Sequence, residues 1–351
     1  MVSSIAIIGA GTMGAGIALN AARHGFDVVL LDRTQDSLNR AGQKIAKQLQ
    51  RHEQNGVLDR TQAFRCRSRM RLTTDIAEIR EADIVVEAVF EDLAVKMNLL
   101  RDIRAYCAEG AVVATNTSAL RVSELAKAVA HPGNLLGMHY FSPADTSPVV
   151  ELVQGEKTSP KALEIATAFL EATGRRILRC KDAPGFAINR FFVPFLNAAA
   201  EVVHQGGGTI RQVNEVGRDL VGSQVGPFEV MNLIKPEIAR NAMANLTELG
   251  AFYTVSQGLI DLVERGGLWD VESGGPSNAN EDSIRERLLE AIAVPAEEVR
   301  RCGIADPEEI DRSAVIALRW SRGPYQILAE NPARPEGQQV FDRVRPRYGE
   351  A

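Results

Sequence analysis

Of five histidines in this 351-residue chain, only one stands at the end of a strand-like apolar run. His139 lies near the end of Leu135–Phe141 (LLGMHYF), the position where open α/β sheets hold their ligands. An imidazole there can take a proton from an alcohol near neutral pH, or it can simply be a packed histidine. Twelve residues on, Glu151 interrupts the apolar run VVELV. A carboxylate in such a run needs a partner unless it faces water at a sheet edge. If the two segments are neighbouring strands, Glu151 can fix the imidazole tautomer and stabilise its protonated form. Ser118, in Asn116-Thr117-Ser118, follows another strand-like run, and Asn189 comes just after Pro184-Gly185. Both are polar groups that can orient a substrate oxygen. The remaining histidines offer less: His24 and His52 lie in helical stretches and read as surface residues, His131 precedes a proline in a loop, and His204 sits near a helix end.

The elements that must position these groups begin at the N-terminus. Ile5–Gly9 reads as a strand, followed by the turn Gly9-Ala10-Gly11-Thr12-Met13-Gly14 and a helix. Asp32 ends the next apolar run, eighteen residues after Gly14. This spacing is a dinucleotide-binding signature: Gly9 makes the tight turn, Gly11 admits a pyrophosphate, and Gly14 lets helix and strand pack closely. Thr12 and Met13 open the helix whose N–H groups would face the phosphates. Asp32 can accept hydrogen bonds from the ribose hydroxyls of NAD and repels the extra phosphate of NADP. Arg33 keeps NADP open as the lesser alternative.

Further strand-like runs follow at Val28–Asp32, Ile84–Val89, Ala111–Asn116, Val149–Val153 and Arg176–Cys180, alternating with helical stretches. They predict a doubly wound α/β domain over residues 1–183. Residues 37 to about 71 are too long and polar for a simple crossover and read as a helical hairpin turning near Asn55-Gly56. Its Arg60, Arg65, Arg67, Arg69 and Arg71 form either a solvated face or a patch for an anionic substrate handle. Beyond Pro184-Gly185 helical periodicity takes over. Sliding Arg190–Phe228 forward by 97 residues lays it on Arg287–Tyr325 without a gap, matching Glu201 to Glu298, Gly206 to Gly303 and Gly226-Pro227 to Gly323-Pro324. The second half is therefore expected to be an all-α region with a duplicated helical domain, 184–275 and a degenerate copy over 276–351. Residues 271–281 read as a linker and the polar segment after Asn331 as a loose tail.

With 45 % apolar and 24 % charged residues and a net charge of −5, the composition is that of a globular protein and argues against a nucleic-acid partner. No run is long enough for a membrane span, and the first strand starts too early to leave room for a signal peptide. Cys66, Cys107, Cys180 and Cys302 are scattered, which suggests reduced thiols in a cytoplasmic protein and no structural metal.

The motifs GAGTMGAGIA, VVEAVFEDLAVK, ATNTSAL, GMHYFSP, VELVQG, KDAPGFAINR and VGPFE occur in that order between Ile5 and Leu233. In them the chain closely resembles the L-3-hydroxyacyl-CoA dehydrogenase family, with wording nearest the dehydrogenase part of multifunctional fatty-acid oxidation enzymes. The resemblance implies a general base at His139, its carboxylate partner at Glu151, and substrate-oxygen contacts from Ser118 and Asn189. It implies contacts to the nicotinamide side of the cofactor from Glu91 and Lys96, and a CoA-binding role for the polar hairpin. The implied activity is NAD-dependent oxidation of a 3-hydroxyacyl-CoA in β-oxidation. Same-fold alternatives act on a carrier-protein thioester or on a sugar acid such as L-gulonate, and one of another class is a non-catalytic NAD-binding protein. Short members of the family end in a KTGxGFY-like segment after one helical domain. Here that stretch reads Gly266-Gly267-Leu268-Trp269-Asp270 and a second copy follows, with Glu286 where Asn189 falls. Single-copy relatives form homodimers through the helical domain. The expected state is thus a homodimer, or a monomer whose second copy mimics the partner.

Overall fold

Ser4–Ile8 (β1), Thr12–Arg23 (α1) and Asp27–Leu31 (β2) open the chain as a strand–helix–strand unit around the glycine turn. The structure, a computed structural model, describes residues 2–272 and 280–331. Most of the expected 271–281 linker and the tail beyond Asn331 lie outside these residues. The chain divides into two compact units, Met1–Asp182 and Ala183–Ala351.

In the first unit, Gln35–Gln54 (α2) and Arg60–Ser68 (α3) form the hairpin expected from the sequence. Thr34 caps α2 by accepting from the Ser37 N–H, and Asp59 with Gln62 makes a reciprocal cap on α3. The buried stripe of α2 is Leu38, Ala41, Ile45, Leu49 and His52, a three-four spacing that fits one helical face. His52 is therefore a core residue, 5 % exposed, and not the surface residue its polar neighbours suggested. The end of this stretch, read as hairpin, is in fact a strand, Met70–Thr73 (β3). It pairs with β2 at the sheet edge, where alternating charged residues are tolerated.

Ile84–Glu87 (β4), Leu93–Tyr106 (α4), Val112–Thr115 (β5), Val122–Leu125 (α5), Leu135–Tyr140 (β6), Val149–Gln154 (β7), Pro160–Ala172 (α6) and Arg176–Lys181 (β8) complete the unit. Among the described residues eight strands form one sheet in the order β3-β2-β1-β4-β5-β6-β7-β8. Every residue of β4, β5 and β6 is buried, as covered central strands require. The sheet is parallel from β3 to β6, but β7 runs antiparallel to β6, so the fold is mixed beyond that point. The reversal brings the two strands together within a short connection and sets their side chains directly opposite.

The second unit is helical throughout its described residues: Asn189–His204 (α7), Ile210–Val221 (α8), Pro227–Ile234 (α9), Pro236–Ala244 (α10), Gln257–Glu264 (α11), Glu281–Arg301 (α12), Pro307–Leu318 (α13) and Pro324–Glu330 (α14). The 97-residue offset holds at backbone level. α7 and α12 end at equivalent residues, α8 and α13 start and end at equivalent residues, and Gly222 and Arg319 both end their helices in the left-handed conformation. The Asn214 carboxamide oxygen accepts from the Phe228 N–H at 3.0 Å, and Asp311 accepts in the same way from the Tyr325 N–H at 2.8 Å. The two copies pack on each other through α7 and α12.

Candidate active site

Two loops at the C-terminal ends of strands and one pair of adjacent strands in the first unit carry the polar groups. The first follows β1. Gly9 has φ +107°, and a Cβ on it would lie 2.5 Å from the Ala88 carbonyl oxygen; one on Gly14 would lie 1.8 Å from the Gly9 oxygen. A Cβ on Gly11 would meet nothing within 4 Å, which leaves open backbone beside the start of α1. No acidic residue stands in the first turn of α1 and no side chain caps it, so its N–H groups offer an anion site. Lys44 adds a cation there, donating to the Thr12 hydroxyl at 3.3 Å, while Met13 packs inward against the core. The Asp32 carboxylate accepts from the Ala10 N–H at 2.8 Å and from the Thr34 N–H at 3.2 Å. It thus braces the glycine turn from the end of β2, where a ribose would lie. These residues fit a pyrophosphate and an unphosphorylated ribose, the demands of NAD.

The second loop follows β5 and holds Ser118. Glu91 organises it: one carboxylate oxygen accepts from the Ser118 N–H at 2.9 Å, from the Ala119 N–H at 3.2 Å and from the Thr117 hydroxyl. Lys96 lies behind. Its side chain is fully buried, with the ammonium 2.7 Å from Glu87 and 3.3 Å from Glu91. Glu87, at the end of β4, also accepts from the Thr115 hydroxyl at 2.7 Å and the Val89 N–H at 2.7 Å. Glu91 and Lys96 are therefore brought together, in a network that shapes the Ser118 loop. Glu87, not singled out from the sequence, is its centre; a carboxylate inside the apolar run IVVEAV was the available signal.

The third group spans β6 and β7. His139 and Glu151 are direct register partners across the antiparallel pair, with Nδ1 and Oε2 2.6 Å apart. Glu151 is fully buried and His139 is 7 % exposed; β7 is flanked by β8, so Glu151 is not an edge residue facing water. An ionised carboxylate only accepts, so Nδ1 carries the proton and Nε2 is the basic nitrogen. The Phe141 ring lies against the imidazole, centroids 4.7 Å apart. The Asn116 carboxamide accepts from the Tyr140 N–H at 2.9 Å, tying the ends of β5 and β6 together.

The loop after β6 is clamped by residues that sequence reasoning missed. Buried Arg175 donates to the main-chain oxygens of Ala144, at 2.7 Å, and Ser147, and to Asn20 at 3.2 Å, with its guanidinium over the Tyr140 ring. Burial lowers the pKa of Arg175 and raises that of Tyr140. Asp145 accepts from Gln48 on α2 at 2.8 Å and stands 3.6 Å from His52. Burial, and after it the Arg23 charge, lowers the His52 pKa against the opposing pull of Asp145. Partners of this kind, main-chain carbonyls and groups about a hundred residues away, leave no local sequence signal.

Asn189 belongs to the second unit, where it is the half-buried first residue of α7. Of the hairpin arginines, Arg69 pairs with Asp27 at 3.0 Å and Arg71 with Glu78, while Arg60, Arg65 and Arg67 are exposed and have no ion-pair partner among the described residues.

Comparison with known proteins accords with this geometry. Residues 4–183 match the family model for the 3-hydroxyacyl-CoA dehydrogenase NAD-binding domain, and residues 185–267 match that for the C-terminal domain of the same family. The fold is shared with Escherichia coli 3-hydroxybutyryl-CoA dehydrogenase (TM-score 0.85, 22 % identity, covering 99 % of this chain and 97 % of that one). M. tuberculosis FadB2 is 28 % identical (TM-score 0.74, 78 % of this chain and 98 % of that one). (S)-3-hydroxybutyryl-CoA dehydrogenase PaaH1 from Ralstonia eutropha is 26 % identical (TM-score 0.74, 77 % and 96 %). With both of its units matched, the chain belongs to the 3-hydroxyacyl-CoA dehydrogenase family, NAD-dependent oxidoreductases.

Proposed function

We propose that the protein catalyses the reversible oxidation of an (S)-3-hydroxyacyl-CoA to the 3-oxoacyl-CoA. The observation that carries this reading is the 2.6 Å contact between His139 and Glu151 near the C-terminal end of β6. In the oxidative direction Nε2 of His139 takes the hydroxyl proton as hydride leaves the same carbon. NAD, when bound, supplies the acceptor for that hydride. The imidazolium formed faces the Glu151 carboxylate, a charge-assisted contact that exists in full only once the proton has moved. Such general-base work typically contributes about 10²–10⁴-fold in rate.

Ser118, held by Glu91, is assigned to the substrate oxygen, and so is Asn189, by its place in the motif KDAPGFAINR. Glu91 and Lys96 are assigned to the nicotinamide side through the loop they shape. The exposed arginines of α3 favour a phosphate-bearing handle, and this ranks CoA above a sugar acid. A substrate panel with NADH and with NADPH tests the reading. Acetoacetyl-CoA with NADH is expected to turn over fastest. A preference for an acyl-carrier-protein thioester or for a free sugar acid would overturn the CoA assignment, and no turnover of any of them would overturn the enzymatic one.

A further inference from the structure

We propose that the helical unit holds a second binding site, a pocket between α7 and α12 that takes an uncharged ring bearing a hydroxyl group, such as a phenol. At the 97-residue offset Arg190 on α7 corresponds to Arg287 on α12, and Glu201 on α7 to Glu298 on α12. Because the copies pack through these two helices, each arginine has the glutamate of the other copy as its counterpart. One of the two resulting half-sites is closed. Arg190 and Tyr253 are each 1 % exposed, with the guanidinium carbon 5.8 Å from the ring centre. Arg190 Nε lies 3.7 Å from the Glu298 carboxylate, and the Tyr253 hydroxyl donates to that same carboxylate. The chain's own phenol is thus stacked on the arginine and hydrogen-bonded to the glutamate.

Among the described residues the other half-site is open. Glu201 and Arg287 line a cavity of about 430 Å³ together with Asn197, Ser256, Phe252 and Glu290. No tyrosine of the described residues is among its lining. Both polar atoms of the Asn197 carboxamide are engaged, the nitrogen donating to the Thr254 carbonyl at 3.0 Å and the oxygen accepting from the Ser256 N–H at 2.8 Å. The Ser256 hydroxyl is buried there without a partner among the described residues, on a residue 3 % exposed. A buried hydroxyl normally has a partner, so this one marks a place for a ligand's polar atom. Arg287 makes no ion pair among the described residues, so its guanidinium face can receive a ring. Glu201 accepts from Gln205 at 2.6 Å through one oxygen and has a second with which to accept a hydroxyl. Two carboxylates beside one guanidinium disfavour an anionic ligand, and the guanidinium face that receives the ring disfavours a cationic one, so a neutral hydroxylated ring is what the site fits. The volume lies within the range of small-molecule pockets.

The test uses the full chain and fluorine NMR, with 4-fluorophenol, its methyl ether 4-fluoroanisole, and 4-hydroxybenzoate as a competitor. 4-Fluorophenol is expected to bind saturably with a dissociation constant of about 1 mM or tighter. The ether, which has no hydroxyl to donate, is expected to bind at least about tenfold more weakly, and the anionic competitor to displace poorly. Arg287→Met breaks no ion pair within the described chain, so it is expected to leave thermal melting unchanged while weakening 4-fluorophenol about tenfold. Equal binding of phenol and ether, efficient displacement by 4-hydroxybenzoate, unchanged affinity in Arg287→Met, or no saturable binding would each overturn the proposal.

Discussion

The polar residues of the first unit divide into those that face chemistry and those that hold them in place. Lys96 belongs to the second kind. Its ammonium is the only cation within ion-pair distance of the buried Glu87 among the described residues, and it also reaches Glu91, whose other oxygen organises the Ser118 loop. Lys96→Met leaves a buried carboxylate without its counter-charge. We expect a loss of about 3–5 kcal/mol in denaturant unfolding, the usual cost of breaking a buried pair from one side. An unchanged unfolding midpoint would show that the network does not carry the loop. His139 and Glu151 were legible in the sequence because each is an anomaly, a titratable group in an apolar run. Glu87 carries the same signal, but its partner Lys96, nine residues away on a helix, gives no cue in the sequence that the two meet. Arg175 left no trace, since it bonds mainly to main-chain oxygens that any sequence supplies.

Among the elements, the notable tie is between α2 and the loop that follows β6. His52 and Gln48 on α2 both address Asp145, five residues past the end of β6, the strand that carries the base. The folded state lowers the His52 pKa below its ordinary 6.5, chiefly by burial. Below about pH 6.5 the unfolded chain then binds a proton that the folded one resists. Stability from this group is complete above the unfolded value and falls as pH drops through 6.5 toward the lowered one. His52→Gln is expected to flatten this part of the stability–pH curve, measured by urea unfolding at a series of pH values from about 7 to about 5. A parallel curve for the variant would mean that His52 contributes nothing to the acid slope. The burial of His52 was readable from its three-four spacing with Leu38, Ala41, Ile45 and Leu49, but its polar neighbours suggested solvent. β3 was hidden by its two arginine-flanked apolar residues, which carry too little alternation to distinguish an edge strand from a helix end. The antiparallel direction of β7 was not readable from its own residues, since an apolar run broken by one glutamate occurs in either direction, as β4 shows with Glu87.

At the scale of the whole chain, the duplication explains why the helical half is so long. Phe191, Phe192 and Phe195 of α7 pack around Trp320 of the second copy, and Arg190 meets Glu298. The repeat was legible because glycines and prolines recur at the turns, where geometry restricts what can replace them. We propose that the second copy covers a face through which a single-copy chain would associate. A chain ending at Glu272 is expected to expose α7 and to sediment as a concentration-dependent dimer, while the full chain stays monomeric. A truncated chain that remains a monomer with unchanged melting would count against this.

The central claim is that His139 is the base for an oxidation whose electrons go to NAD. The most direct measurement compares the parent and His139→Gln for acetoacetyl-CoA reduction by NADH, with NADH binding followed separately by fluorescence titration. The expected result is a fall in kcat of about 10²–10⁴-fold with NADH affinity unchanged. Turnover within a few-fold of the parent would contradict the account.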